Sequence, residues 1–205
     1  EGDLVLDTGL GGNSDTSDGV FVSAAGASAE LTGTFAGGVL SGLGLGGDVT
    51  LTTDEAVNLL LALSDHGDVF DLKTLASEVY AQVIGGDGDD ELNVGNDLRR
   101  LNEIAGVISY EGRGGTDMLN VTAQSPVAAE SLMTAISFTG LEMGTNSRFA
   151  LQQDEFGALL DEDCLQDASC PAGIYFARRA GFGADYQSTV ESFNLTLDGG
   201  EIRVD

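Results

Sequence analysis

Short apolar segments alternate with turns rich in glycine and aspartate along most of the chain. Residues 83–84 are apolar, residues 85–90 form a Gly-Asp cluster, and Leu92 and Val94 are apolar positions in an otherwise polar run. Apolar residues at every second position predict a strand with one buried face, and Gly-Asp clusters predict the tight turns between strands. The pattern therefore predicts a mainly β protein of many short strands, with Leu92 as a core residue.

The same pattern predicts strands in much of the remaining sequence. They are expected at residues 4–6, 20–22, 31–35, 37–47, 49–52, 107–110, 136–138, 149–151, 190–197 and 202–204. Residues 56–63 follow a capping box at 52–55, which by local rules favours a helix. Because segment 190–197 has the same layout together with a strand pattern, we predict a strand for both segments.

Three segments carry helix signals. Residues 96–106 combine an N-cap asparagine, an apolar stripe and a final glycine. Residues 71–82 place apolar side chains at near-helical spacing, and segment 125–133 opens with Ser-Pro, which suits the first position of a helical turn. We therefore expect a few short helices between the strands.

Aspartates recur in the glycine-rich turns at a regular interval. Asp68, Asp90 and Asp117 are separated by roughly 22 to 27 residues, which is about the length of one coil of a parallel β-solenoid. The sequence therefore predicts a parallel β-solenoid, or β-helix, with coils of roughly 20–27 residues. The solenoid is expected to occupy residues 1–205 as a single domain, or as a segment of a longer repeat protein.

One of these turns carries a calcium-binding pattern. The residues from Gly85 onward match the nonapeptide G-G-x-G-x-D-x-U-x at each position, and a second copy begins at Gly112, where Arg113 replaces the second glycine. In this pattern the glycines permit a tight turn, while an aspartate carboxylate and backbone carbonyls surround one calcium ion. A shorter echo at 67–72 keeps Asp68 but lacks the preceding glycine pair, and we interpret it only as a turn.

These two copies resemble the hemolysin-type calcium-binding (RTX-like) repeats of large secreted and surface proteins. The resemblance implies stacked parallel β-rolls and calcium-dependent folding outside the cell. Since a longer stretch separates the two copies here than in tandem nonapeptides, we expect wider coils than that family has.

The predicted calcium ligands all belong to the two turns. They are Gly85, Gly86, Asp87, Gly88, Asp89, Asp90 and Asp117. Asp90 is expected to supply the side-chain ligand, with Asp87 or Asp89 and the turn carbonyls completing the shell, because calcium prefers oxygen ligands. The alternative for either turn is an Asx-type turn that holds no metal.

The composition restricts the possible partners. The 205-residue chain has 34 acidic residues against 8 Lys and Arg, for a formal net charge of −26. This charge repels nucleic acid and anionic membranes, and it fits divalent-cation binding or a high-salt medium, although acidity also serves simple solubility. A hydrophobic content of 42% suffices for a packed core, and no apolar run is long enough to insert into a membrane.

Two pairs of residues suggest covalent modification. Cys164 and Cys170 are predicted to form a local disulfide, because a zinc site would lack two further ligands nearby. This disulfide is expected to pin a looped excursion at 152–186, where the repeat pattern lapses. Asn120 and Asn194 begin N-x-T sequons, which would make the protein a glycoprotein in a eukaryotic secretory pathway.

Catalysis has little support in the sequence, so we expect no enzyme. His66 lacks a nucleophile in a recognisable elbow, and a polysaccharide-acting β-helix enzyme would need a cluster of basic residues. The leading hypothesis is an extracellular structural or adhesive module: a calcium-stabilised β-solenoid that assembles end to end into a fibre, appendage or surface layer, since an uncapped terminal strand invites pairing. Its partners would be other copies of itself or neighbouring repeats. A solenoid that binds glycan, ice or mineral is the alternative, and an enzyme the second alternative.

Overall fold

A computed structural model of the protein describes residues 4–7, 18–52, 57–124, 130–133, 137–140, 143, 145–146, 170–176, 178–179, 186–197 and 201–204. Within these residues the chain forms β-strands and no helix. The prediction of a mainly β protein is therefore confirmed.

The strands are numbered in chain order. They are β1 (Leu4–Asp7), β2 (Asp18–Ser23), β3 (Thr32–Ala36), β4 (Val39–Gly42), β5 (Val49–Thr52), β6 (Val57–Ala62), β7 (Val69–Leu72), β8 (Val79–Asp87), β9 (Glu91–Val94), β10 (Val107–Gly114), β11 (Met118–Ala123), β12 (Glu130–Met133), β13 (Ser137–Gly140), β14 (Thr145–Asn146), β15 (Cys170–Pro171), β16 (Gly173–Tyr175), β17 (Arg178–Arg179), β18 (Tyr186–Gln187), β19 (Ser192–Leu197) and β20 (Glu201–Val204).

Two sheets of eight strands contain most of these elements. The first sheet has the order β1-β5-β4-β3-β7-β9-β11-β19, and the second has the order β2-β6-β8-β10-β16-β13-β12-β20. The other four strands form two short ribbons, β14 with β15 and β17 with β18. Both large sheets are mixed, with parallel pairs at their centres and antiparallel pairs towards one end of each.

The chain alternates between the sheets in its central part. Strands β2, β6, β8 and β10 are parallel neighbours in the second sheet, and each is followed along the chain by a strand of the first sheet, namely β3, β7, β9 or β11. These four are also parallel neighbours. Because the register is uniform, equivalent side chains stack on one another. One such column is Phe35, Leu72, Val94 and Val121.

Inward side chains from both sheets form one buried core. Strands β6 and β11 alternate between buried and half-buried residues along their length, which is the period-two pattern of a strand with one covered face. Leu92, the residue expected in the core, is completely buried, as are Phe70 and Ile108. On the opposite face of the second sheet, three residues form a smaller buried cluster. They are Tyr80, Val107 and Tyr175.

The helix predictions are wrong wherever the structure describes the residues. Segment 96–106 consists of turns, since the Asn96 carboxamide accepts the N–H groups of Leu98 and Arg100 and Arg99 adopts the left-handed conformation with φ 57°. A left-handed residue cannot continue a right-handed helix. Residues 130–133 of the third predicted helix form β12, a strand paired with β13 and β20.

The helical spacing in residues 71–82 has another origin. Leu72 ends β7, Leu75 makes an isolated parallel bridge to Ile104, and Val79 begins β8. All four side chains are buried. An apolar residue every three or four positions therefore arises here from a short connection between two strands, which periodicity alone does not distinguish from a helix.

Two predictions fall largely outside the described residues. Cys164 and residues 149–151 are among those not described, so the disulfide with Cys170 and the strand at 149–151 stay predictions. Within the predicted excursion at 152–186, β16 lies in the second sheet between β10 and β13, and its residues are buried.

Replacing a core leucine tests the described packing. Leu92→Ala removes a completely buried side chain and should cost about 2–5 kcal/mol, lowering Tm by roughly 5–15 °C. Leu98→Ala is the matched control, because Leu98 is 74% exposed and its loss should change Tm by no more than about 2 °C. Thermal unfolding followed by circular dichroism measures both, and similar Tm values for the two variants would contradict the assigned core.

Candidate functional site

Three turns that carry the chain from the second sheet to the first are stacked in register. They span residues 63–68, 85–90 and 112–117, of which 85–87 and 112–114 are also the last residues of β8 and β10. The strands on both sides pair without any shift. We call them the three stacked turns. Their last residues are Asp68, Asp90 and Asp117, which are 0%, 1% and 0% exposed. Carboxylates are rarely buried to this degree without partners, so these side chains need a structural or functional reason.

A chain of hydrogen bonds connects these aspartates, and we call it the carboxylate ladder. The Asp117 N–H donates to Oε2 of Glu191 over 2.8 Å, the Asp90 N–H donates to Oδ1 of Asp117 over 3.0 Å, and the Asp68 N–H donates to Oδ1 of Asp90 over 2.8 Å. Asp68 continues the ladder by accepting the N–H of Leu31 on Oδ1 over 2.7 Å. Each acid thus fixes the backbone of a neighbouring turn.

The aspartates of the carboxylate ladder, which we call its rungs, differ in whether their second carboxylate oxygen has a hydrogen-bond partner. Asp68 accepts three hydrogen bonds, because the Ser64 N–H donates to Oδ2 over 2.6 Å and the Ser64 hydroxyl donates to Oδ1 over 3.0 Å, in addition to the bond from Leu31. In contrast, Oδ2 of Asp90 and Oδ2 of Asp117 are buried without a hydrogen-bond partner. Two rungs therefore keep an uncompensated oxygen, which costs free energy unless a proton or a cation joins it.

Burial governs the electrostatics of these two rungs. Desolvation, together with the charges of Asp117, Asp68 and Asp89, raises the pKa of Asp90 to about 7, although the hydrogen bond from the Asp68 backbone opposes this. Burial and the charges of Glu191 and Asp89 raise the pKa of Asp117 in the same direction. The folded state therefore favours the protonated or cation-bound form of both carboxyls.

Glycine leaves space for the unpartnered oxygens. A Cβ atom on Gly85 would collide with Oδ2 of Asp90 and with the Gly112 carbonyl oxygen, and a Cβ on Gly112 would collide with the Asp117 carboxylate. The Tyr110 hydroxyl is also buried without a partner, and burial together with the Asp117 and Asp90 charges raises its pKa. Carboxylate and carbonyl oxygens are the ligand types that calcium takes. The oxygen atoms around Asp90 and Asp117 are therefore of the kind that binds a hard cation.

Among the described residues, the acids expected to share one calcium ion point in different directions. Asp90 points back to the first of the stacked turns, whereas Asp89 points forward and accepts the Thr116 N–H over 2.8 Å. Asp87 is exposed and lies beside Gly114 of the third turn. No group of three or more His, Cys, Asp or Glu side chains in the described part of the chain is arranged around one metal position.

Sequence interpretation places Asp68 at the same coil interval as Asp90 and Asp117 but gives it no ligand role, and it misses Ser64 and Glu191. Asp68 was interpreted as a simple turn residue, yet it occupies the same position as Asp90 and Asp117, and Ser64 satisfies it. Glu191 supplies the outermost rung. A signal for both acids exists, because each directly precedes a strand with alternating apolar residues, as Asp90 does.

A second ladder runs along the outer face of the first sheet. Asn93 donates to Asp71 over 3.0 Å, Asn120 donates to Asn93 over 2.9 Å, and Asn194 donates to Asn120 over 2.9 Å, each through Nδ2. Asn120 also donates to Glu91 over 2.8 Å. In both sequon asparagines, Asn120 and Asn194, the amide nitrogen that glycosylation would modify therefore donates a hydrogen bond within this second ladder.

Comparisons with protein families, curated proteins and solved structures find no match to this chain. Within the described residues no helix is long and apolar enough to cross a membrane.

The raised pKa of Asp90 predicts an unusual pH dependence in the presence of a chelator. The ordinary pKa is 3.8 and the folded value is about 7, so between these values the folded state holds a proton that the unfolded chain has lost. The stabilising contribution is complete below pH 3.8 and is lost as the pH rises through about 7. We expect Tm at pH 8 to be lower than at pH 5 by roughly 5 °C.

Two variants separate this effect from general charge repulsion. Asp90→Asn should flatten the change in Tm between pH 5 and pH 8, because the amide does not titrate. Asp65→Asn removes an exposed acid from the first stacked turn and should keep the slope of the unmodified protein. Equal slopes for both variants would show that the ladder does not set the pH dependence.

Proposed function

We propose that the protein is an extracellular structural or adhesive module, a calcium-stabilised parallel β-solenoid that assembles end to end into a fibre, appendage or surface layer. The observation that carries this proposal is the state of the sheet edges. Among the described residues, the outer edges of β1 and β19 in the first sheet and of β2 and β20 in the second are unpaired. Unpaired edges are templates for strand addition from another chain.

The alternation between sheets supports the solenoid. A chain that places one strand in each sheet and then returns beside its own previous strand, in uniform register, winds as a coil. The interval from Asp68 to Asp90 is 22 residues and that from Asp90 to Asp117 is 27 residues. The hydrogen bonds between these aspartates join positions one such interval apart, as neighbouring coils would.

The carboxylate ladder supports calcium as the stabilising ion. The Oδ2 atoms of Asp90 and Asp117 are buried and unpartnered, and each faces a glycine where a larger residue would collide. A divalent cation would supply the missing compensation, with Asp87 or Asp89 of the same turn reorienting to become a further ligand. Extracellular fluids hold calcium at concentrations that weak sites can use.

The net charge of −26 affects assembly as well as binding. Identical acidic copies repel one another, and the repulsion is screened over a Debye length of about 8 Å at physiological salt. Divalent cations neutralise acids directly. Assembly should therefore need salt or calcium.

Electron microscopy tests the assembly. At high protein concentration with calcium and physiological salt, we expect filaments or sheets with a regular axial repeat, and in chelator at low salt we expect dispersed particles. Discrete monomers under both conditions, confirmed by sedimentation, would overturn the structural role and favour a glycan- or mineral-binding module.

Thermal unfolding with calcium tests the ion separately. At calcium 100 times above its Kd, linkage predicts a gain of about 2.7 kcal/mol, or roughly 5–10 °C in Tm over the chelator value. Asp90→Asn and Asp117→Asn should lose most of this gain. Asp68→Asn is the matched control, because its oxygens already accept three hydrogen bonds, and it should lower Tm equally with and without calcium. A calcium-independent Tm in the unmodified protein would exclude the ion without affecting the test of assembly.

A further inference from the structure

Among the described residues, the two sheets end at different levels, and the offsets match. In the first sheet three strands lie beyond β3, in the order β4, β5, β1, while the second sheet stops at β2, the strand joined in sequence to β3. In the second sheet three strands lie beyond β16, in the order β13, β12, β20, while the first sheet stops at β19. We call these the first-sheet overhang and the second-sheet overhang.

A level is the position of one strand along the stack, and the connections between the sheets show which strands share a level. Strands β10 and β11 are consecutive and belong to the same coil, and their next neighbours, β16 and β19, therefore occupy one level. A ring contact agrees with this arrangement: Phe138 of β13, one level further out, lies 6.0 Å from Phe193 of β19 between ring centroids. Each sheet thus spans eight levels, but the two sheets are shifted by three levels relative to each other.

Strand direction is preserved across both overhangs. From β3, two antiparallel steps to β4 and β5 and one parallel step to β1 return the original direction. From β16, two antiparallel steps to β13 and β12 and one parallel step to β20 do the same. All four edge strands therefore run in the direction of the central strands of their own sheet.

We propose that a second copy of this chain docks by translation along the stack, so that β19 of one copy pairs with β1 of the next while β20 pairs with β2. A shift of eight strand spacings brings both pairs together at once, and all the new pairings are parallel. The two overhangs then lie opposite each other and complete the missing levels. This inference rests on the proposed function and adds to it the partner, the polarity and the repeat.

The joint is heterologous and does not close, because pure translation produces an open filament. With strands about 4.7–4.9 Å apart, eight levels give an axial repeat of about 38 Å. If the two sheets had different numbers of strands, one translation could pair the edge of only one sheet. Equal sheets with equal offsets are the property that points to a second copy as the occupant, in preference to an unrelated chain.

One edge position allows a specific block. Ala24 donates its N–H to Ala62 of β6, so by alternation along a parallel strand the N–H of Phe21 faces the open edge of β2. The Phe21 side chain is 65% exposed. Proline at this position removes an edge donor and places a ring on the edge, while the hydrogen bonds between β2 and β6 are kept.

Filaments of the 205-residue chain, grown with calcium and physiological salt, provide the test. Diffraction and electron microscopy should show strands spaced at 4.7–4.9 Å along the axis and a polar axial repeat of about 38 Å. Phe21→Pro should raise the critical concentration for assembly roughly tenfold or more at unchanged Tm. Phe21→Ser keeps the N–H and should assemble like the unmodified chain.

The outcomes separate the joint from the proposed function. Filaments with another repeat, or with alternating polarity, would overturn this joint and leave end-to-end assembly standing, and so would normal assembly of Phe21→Pro. Equal loss of assembly in Phe21→Pro and Phe21→Ser would assign the contact to the exposed ring and also overturn the edge pairing. Absence of any filament, or filaments only in a longer chain that carries further strands, would overturn the second copy as the occupant.

Discussion

Successive turns of this protein are held together by buried carboxylates that accept main-chain N–H groups. A carboxyl oxygen accepts such a bond in either protonation state, and the bond is stronger when the group is ionised. Repetition of that bond at Asp68, Asp90 and Asp117 fixes the backbone where the chain leaves one sheet and enters the other. The uniform register of the strands on both sides depends on this, because a turn of different shape would shift every following side chain to the wrong face.

The same bond has an energetic disadvantage. A fully buried carboxylate has more acceptor capacity than one N–H can use, and the environment meets this need only at Asp68, through Ser64. At the other two positions the compensation has to come from solution, as a proton or a cation. The stability of the fold is thereby connected to the medium around it, and the large acidic surplus of the chain reinforces this connection.

The strands and the acidic turns could be predicted because their signals are local. Period-two alternation at Leu92 and Val94 and the glycines around Asp90 are contained in a dozen residues, and the structure has a strand and a turn at these positions. The prediction of a helix at 96–106 was wrong for a reason that local sequence patterns do not contain. Arg99 takes a left-handed conformation, and two turns, instead of one helix face, bury Leu101 and Ile104.

Membership of the ladder could be predicted only in part. The nonapeptide match identified Asp90 and Asp117, but Asp68 lacks the glycine pair and Glu191 lies far along the chain, 74 residues beyond Asp117. Their equivalence depends on the strand register, which is a property of the assembled sheets. The orientation of the carboxylates was likewise not predictable, since the direction of each hydrogen bond depends on the neighbouring turn.

The two flanks of the molecule have different tolerance for sequence change. The stacked turns have one length, whereas the connections that return from the first sheet to the second differ in length, as residues 73–78 and 95–106 show. The 95–106 connection presents Leu98 and Arg99 to solvent at its tip. A foreign peptide grafted at this tip would be displayed on one side of the protein, while a residue added to a stacked turn would disturb the register of the carboxylate ladder.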